Sequence, residues 1–153
     1  MERVRRRYGF INGIDVDPEG SKGGFYGSLY AQDREESWNL LKSLRRNEEQ
    51  PWIVYGDFNE IMYEFEKKGG LPREERRMEA FRNALEDCRL IDVGYSGNWF
   101  TWERGNLPET NIRERLDRGV ANVNWMSMFL EANIQHLVHS TSDHYPLLIS
   151  TNK

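Results

Sequence analysis

The feature that most constrains this chain is Trp52-Ile53-Val54-Tyr55, an unbroken apolar run stopped by Gly56-Asp57. A strand with one wet face alternates polar and apolar residues. A short run that does not alternate reads as a strand covered on both faces, hence a central strand of a layered sheet. Elsewhere the period becomes helical. Met78, Phe81, Leu85 and Cys88 fall at i, i+3, i+7 and i+10, one face of a helix. Asp33 and Glu36 make a D-x-x-E capping pattern ahead of Trp38, Leu41 and Leu44, with Leu40 and Leu44 one turn apart. That pattern predicts an amphipathic helix from about Asp33 to Asn47. Phe25 to Tyr30, Phe100-Thr101-Trp102, Arg113 to Val120, Ile134 to Val138 and Tyr145 to Ile149 read as strands. Asn122 reads as the cap of a short helix carrying Trp125, Met126 and Phe129. The implied class is mixed α/β, with several strands in the second half.

The 153 residues suffice for one domain. Apolar residues make up only 38% and charged residues 30%, a thin core, although the 12% of aromatic residues argues against disorder. Lys and Arg total 21 against 25 Asp and Glu, a net charge of −4 that excludes a binder working by bulk positive charge but leaves room for a local basic groove. The single Cys88 excludes an intrachain disulfide. No apolar run approaches the roughly 18 residues that cross a bilayer. The basic start from Met1 to Arg7 has no apolar stretch behind it, so it does not read as a secretory signal. The expectation is a soluble, intracellular protein, nuclear or cytoplasmic, with no membrane partner.

Residues 1–24 carry few structure signals, and Asp17 to Gly24 reads as a turn or loop cluster. Glu64 to Arg77, with Gly69-Gly70 and Pro72, reads as an exposed loop. Its Lys67, Lys68, Arg73, Arg76 and Arg77 could contact a DNA backbone, but the flanking Glu64, Glu66, Glu74 and Glu75 favour a solvated charged face.

Three polar clusters lie at strand ends or on strand faces. In Gly56-Asp57-Phe58-Asn59 a carboxylate and an amide can both face a cleft beyond the sheet edge, or can simply be turn residues. In Arg115-Leu116-Asp117-Arg118-Gly119 a period of 2 puts Arg115 and Asp117 on one face. Asp117 there could orient a histidine, the plainer reading being a surface ion pair. In Ser142-Asp143-His144-Tyr145-Pro146, His144 could act on a proton and Asp143 could hold a hard cation or its water. An exposed turn before the last strand is the alternative. His136 and His139 have no matching acidic spacing and read as structural or solvent-facing.

Taken jointly and in order, Gly56-Asp57-Phe58-Asn59, Phe100-Thr101-Trp102, Arg115-Leu116-Asp117-Arg118 and Ser142-Asp143-His144-x-Pro146 resemble the endonuclease/exonuclease/phosphatase superfamily. The narrower resemblance is to the apurinic-endonuclease-like domain of plant LINE-type non-LTR retrotransposons. Phe25-Tyr26-Gly27, Glu36-Ser37-Trp38, Glu60-Ile61 and Glu66-Lys67-Lys68-Gly69-Gly70 add to it. The resemblance implies that residues 25–150 are the C-terminal portion of such a domain, after a poorly matched segment, residues 1–24. It implies a partial four-layer α/β sandwich of two packed sheets, the DNase-I-like fold, that hydrolyses phosphodiesters in DNA with Mg²⁺, or Mn²⁺ as the alternative. By position, Asp57 would orient or deprotonate the attacking water and Asn59 would bind the scissile phosphate. Asp143 would lie on the metal side, His144 would hydrogen-bond a phosphate oxygen, oriented by Asp117, and Tyr26 would lie near the phosphate.

The resemblance also implies losses. The family's strands bearing an asparagine and a metal-ligating glutamate have no counterpart here, and elements between Gly24 and Phe25 read as deleted. The expectation is a truncated, internally shortened copy of weak or absent activity, with apolar faces such as that of Trp52 to Tyr55 uncovered. Glu2, Glu19 and Glu60 are the candidates to stand in beside Asp143. The alternative is a non-catalytic remnant, or a nucleic-acid- or protein-binding module, with the same partial fold.

Overall fold

A computed structural model describes residues 2–5, 13–16, 22–26, 34–45, 50–138 and 143–151, the first three segments as backbone strands. In chain order the first elements are β1 Glu2–Arg5, β2 Gly13–Val16, β3 Lys22–Tyr26, α1 Arg34–Ser43, β4 Ile53–Asp57, β5 Lys67–Lys68 and α2 Glu75–Asp87. Then come β6 Ile91–Asp92, β7 Ser96–Gly97, β8 Trp102–Arg104, β9 Ile112–Glu114, β10 Asp117–Ala121, α3 Val123–Met128, β11 Asn133–His136 and β12 Leu147–Ser150. A five-stranded sheet runs β2-β3-β4-β10-β6, a four-stranded one β1-β12-β11-β7, and a small third sheet β5-β9-β8.

The apolar run becomes β4, at the centre of the larger sheet, parallel to β3 and antiparallel to β10. Val54, with Trp52 just before the strand, packs against Trp38 and Leu41 of α1 and Phe81, Ala84 and Leu85 of α2. Trp38 and Phe81 stack with centroids 4.7 Å apart. Tyr55 points the other way, into Ile134, Leu147 and Ile149 of the four-stranded sheet. The two sheets meet closely at Gly119, where a Cβ would lie 2.2 Å from Ile134 Cδ1. Helices, sheet and sheet thus form the described layers of an α/β sandwich.

Several expectations change. Trp52 to Tyr55 are not uncovered: each is at most 5% exposed, because β3 supplies a parallel neighbour and the second sheet covers the far face. Residues 1–24, poor in local signals, contribute β1, paired along β12, and β2, paired with β3. Gly23 and Gly24 lie in β3 opposite Val54 and Tyr55, the ladder overriding their turn preference. Phe25 and Tyr26 therefore end a strand rather than begin one. Gly27, Ser28, Leu29 and Tyr30, expected to continue it, fall outside the described residues, as do Asp33 and Asn47 at the expected ends of α1. Asn122 caps α3 as expected, its Oδ1 accepting the Trp125 N–H at 2.9 Å.

Arg113 to Val120 is not one strand. β9 ends at Glu114 and β10 starts at Asp117, in different sheets, so Arg115 and Asp117 share no strand face. A buried ion network breaks the run. Arg118, 0% exposed, forks onto Glu66 (Nη2–Oε1 2.8 Å, Nη1–Oε2 3.0 Å) and reaches Asp92 at 3.1 Å. Arg115 forks onto Asp92 (2.8 and 2.9 Å) and touches Glu66 at 3.1 Å. The Glu64 to Arg77 segment is exposed over most of its length, as expected, but Glu66 is buried in this network and Arg73 and Arg77 are partly buried against Glu114 and Glu60. A 3-10 turn, Glu64–Glu66, turns Glu66 inward, and α2 already contains Arg76 and Arg77.

Burial works against the charges of Glu66 and Asp92, but Arg118 and Arg115 outweigh it and hold both carboxyls below their ordinary range. Their contribution to stability is then full above the ordinary values of 4.5 and 3.8 and is lost as pH falls through the lower folded values. Replacing Arg118 by Met removes both of its contacts to the buried Glu66 and leaves that carboxylate only Arg115 Nη1 at 3.1 Å as a cationic partner, which should cost about 3 kcal/mol in urea unfolding. Arg76→Ala, on an 83% exposed side chain, should stay within about 0.5 kcal/mol of the parent. Acidification should unfold the parent chain steeply below the carboxylate range and the Arg118→Met chain less steeply.

Candidate active site

β4 ends at Asp57 and β10 begins at Asp117, and the two residues are directly opposite in the antiparallel ladder. Like charges opposite one another repel. His144 answers them both: Nδ1 lies 2.9 Å from Asp117 Oδ2, and Nε2 lies 3.5 Å from Asp57 Oδ2. Burial disfavours a charged His144. The hydrogen bond to Asp117, with the charges of Asp117, Asp57 and Asp143, outweighs burial and pushes it up to about 9. Burial, then the charge of Asp117, pushes Asp57 up to about 7, against His144, the Asn59 N–H and Arg34. At neutral pH the site is a histidine cation between two carboxyl groups.

The turn after β4 serves structure and site together. Asp57 Oδ1 accepts the Asn59 N–H at 2.7 Å, as a turn residue would, while Oδ2 faces His144. Asn59 is buried and sits at φ 52°, in the left-handed region that Asn tolerates better than most residues. Tyr26 is the backbone partner of Asp57 in the β3–β4 ladder, so its strand ends beside the cleft. Asp143 is exposed, and its carbonyl accepts the Glu103 N–H at 3.0 Å. Ser142 and His139 lie outside the described residues. His136 is structural: buried, it bonds the Asn98 carbonyl through Nδ1 and stacks on Tyr95, and burial pulls it down to about 4.

Thr101 has a part that sequence reasoning missed. Its fully buried hydroxyl accepts the N–H groups of Leu116 (3.0 Å) and Asp117 (2.9 Å). Its carbonyl accepts the Tyr145 N–H at 2.7 Å, and Trp102 forms a β-bridge with His144. One residue thus fixes the backbone on both sides of the Asp117–His144 contact. The only sequence signal was a threonine between two aromatic residues ahead of the Asp117 cluster.

Glu60, expected as a stand-in beside Asp143, is wholly buried and already engaged. Its oxygens lie 3.3 Å from Arg34 Nε, 3.3 Å from Arg73 Nε and 3.1 Å from Arg77 Nε. Glu2 pairs with Ser150 at the end of β12 remote from His144, and Glu19 lies outside the described residues. Asp143 also lines a cavity of about 870 Å³ of mixed charge, with Lys68, Arg104 and Arg113 beside Glu103, which is paired with Arg113 at 2.8 Å.

Asp57, Asp117 and His144 carry donor atoms within 4.8 Å of one another, a spacing that could hold a metal ion. In this arrangement His144 Nδ1 is committed to Asp117 at 2.9 Å and Nε2 faces Asp57 at 3.5 Å. Asp143 belongs to no such cluster among the described residues.

No family model matches the sequence, and no curated protein matches it. Solved structures do. The endonuclease domain of TRAS1, a telomere-specific non-LTR retrotransposon, superposes with a TM-score of 0.67 at 12% identity, over 99% of this chain and 80% of that one. A 3′-5′ exonuclease from Neisseria meningitidis gives 0.65 at 16% identity, over 86% of this chain and 61% of that one. An AP endonuclease from Leishmania major gives 0.63 at 12% identity, over 90% of this chain and 53% of that one. The fold is that of the DNase-I-like endonuclease/exonuclease/phosphatase proteins. Within that class the chain resembles retrotransposon and AP endonucleases in fold, while spanning under two thirds of the last two neighbours.

Removing the Thr101 hydroxyl leaves two buried N–H groups unsatisfied. Thr101→Val should destabilise the protein by about 1–3 kcal/mol in urea unfolding, and Thr101→Ser, which keeps the oxygen, should recover most of that loss.

Proposed function

We propose that the chain hydrolyses phosphodiester bonds in DNA as an endonuclease of the retrotransposon type, the kind carried by plant LINE elements. The observation that supports this reading is His144 held between Asp117 at 2.9 Å and Asp57 at 3.5 Å. Asp57, raised to about 7, suits a general base near neutral pH and would orient or deprotonate the attacking water. His144, oriented by Asp117, would donate to a phosphate oxygen as its negative charge grows. The contact from Nε2 to Asp57 is long at 3.5 Å, so that N–H is the one to be redirected. Asn59 would contact the scissile phosphate, and Tyr26 would approach it from β3.

A divalent cation, Mg²⁺ or Mn²⁺, would supply further charge neutralisation at the phosphate, and Asp143 is the residue on that side. Among the described side chains Asp143 joins no cluster of possible ligands, a weak anchor for a hydrated ion, and this supports slow turnover. The same observation favours the second reading, a non-catalytic DNA-binding module of this fold.

Nicking of supercoiled plasmid with added Mg²⁺ separates the two. Slow nicking that disappears in both Asp57→Ala and His144→Ala is the expected result. No nicking with either Mg²⁺ or Mn²⁺ would favour the binding module, and rapid nicking would show that a stronger cation site exists. DNA binding should show little sequence preference and weaken steeply with salt, because a few Lys and Arg on phosphates must work against a net charge of −4. A sequence-specific complex that survives moderate salt in a mobility-shift titration would contradict this.

A further inference from the structure

The Asp57–Asn59 turn is held from below by a residue that neither the motifs nor the site chemistry accounts for. Arg34 is the first residue of α1, where the helix dipole disfavours a cation, yet it is only 6% exposed. Its Nε donates to the Asn59 carbonyl at 2.9 Å, its Nη2 donates to the same oxygen, and its Nε lies 3.3 Å from Glu60 Oε2. Burial and the nearby Arg77 and Arg73 pull its guanidinium down to about 10, partly offset by Glu60 and Asp57, so it stays charged at neutral pH.

Asn59 is thereby clamped on both sides. Its N–H is bonded to Asp57 Oδ1 and its carbonyl to Arg34, across a backbone at φ 52°. A left-handed non-glycine residue persists where its surroundings over-determine it. Arg73 and Arg77 touch the same Glu60 carboxylate, and Arg73 also reaches Glu114. The two donors that Arg34 places on the Asn59 carbonyl set it apart within the cluster.

We propose that Arg34 is a positioning residue: it fixes the left-handed turn at Asn59, and through that turn sets Asn59 and the Asp57 carboxylate in the orientation the cleft uses. The part of this that concerns turnover rests on the hydrolase reading above; the part that concerns the turn does not. Glu60 then keeps Arg34 in place, which explains why a carboxylate directly after the site turn is buried among three arginines.

The experiment compares Arg34→Lys with Arg77→Lys. Each keeps a positive charge beside Glu60, and only the first loses the fork on Asn59. Amide hydrogen exchange of Asn59, read by NMR against the Tyr55 amide as an internal reference, reports the turn with or without activity. Arg34→Lys should speed Asn59 exchange by about tenfold, the worth of one charge-assisted hydrogen bond, and Arg77→Lys should leave it unchanged. In plasmid nicking, Arg34→Lys should lower kcat by about tenfold with little change in KM, and Arg77→Lys should lower neither. Unchanged Asn59 exchange in Arg34→Lys, or equal effects of the two substitutions on exchange or kcat, would overturn the proposal. If the parent chain does not nick DNA, the hydrolase reading fails by itself and the exchange comparison still decides the role of Arg34.

Discussion

Two carboxylates face each other across neighbouring strands, and the site depends on how that repulsion is met. Asp57 and Asp117 are ladder partners, the last residue of one central strand and the first of the next. In water such a pair costs little; in a half-buried cleft it demands a proton or a cation. His144 supplies the charge from a third element, and Thr101 pins the backbones on both sides of that contact. The geometry that removes a local conflict also leaves Asp57 raised to about 7 beside a His144 N–H fixed by Asp117.

The charged residues that thin the apolar core are used inside it. Arg115, Arg118, Glu66 and Asp92 join the 3-10 turn, β6 and the start of β10 in one network. Glu60 joins α1, the segment before α2 and α2 itself. Buried ion pairs often contribute little net stability compared with apolar packing. Each carboxylate is satisfied only when particular segments meet.

Elements with strong periodicity were legible in the sequence. The Trp52 to Tyr55 run marked the central strand, Met78, Phe81 and Leu85 marked the buried face of α2, and Asn122 marked a cap. The ordered motifs marked Asp57, Asp117 and His144, which the fold brings within one contact distance. What was not legible depended on partners distant in sequence. Gly23 and Gly24 look like a turn until β4 offers them a ladder, and β1 has no signal without β12 beside it. Glu66, Arg73 and Arg77 look solvated until Arg118, Glu114 and Glu60 face them. A charged residue carries no mark of the partner that will bury it. Arg34, a cation at a helix start, was a weak exception.

The site stands or falls on His144 being a cation shared by Asp57 and Asp117, and ¹⁵N NMR of its imidazole tests this most directly. The expected result is a doubly protonated ring at neutral pH that loses its proton near pH 9, with Asp117→Asn moving that loss to clearly lower pH. A neutral ring at neutral pH, titrating at or below the ordinary 6.5 and indifferent to Asp117, would contradict it.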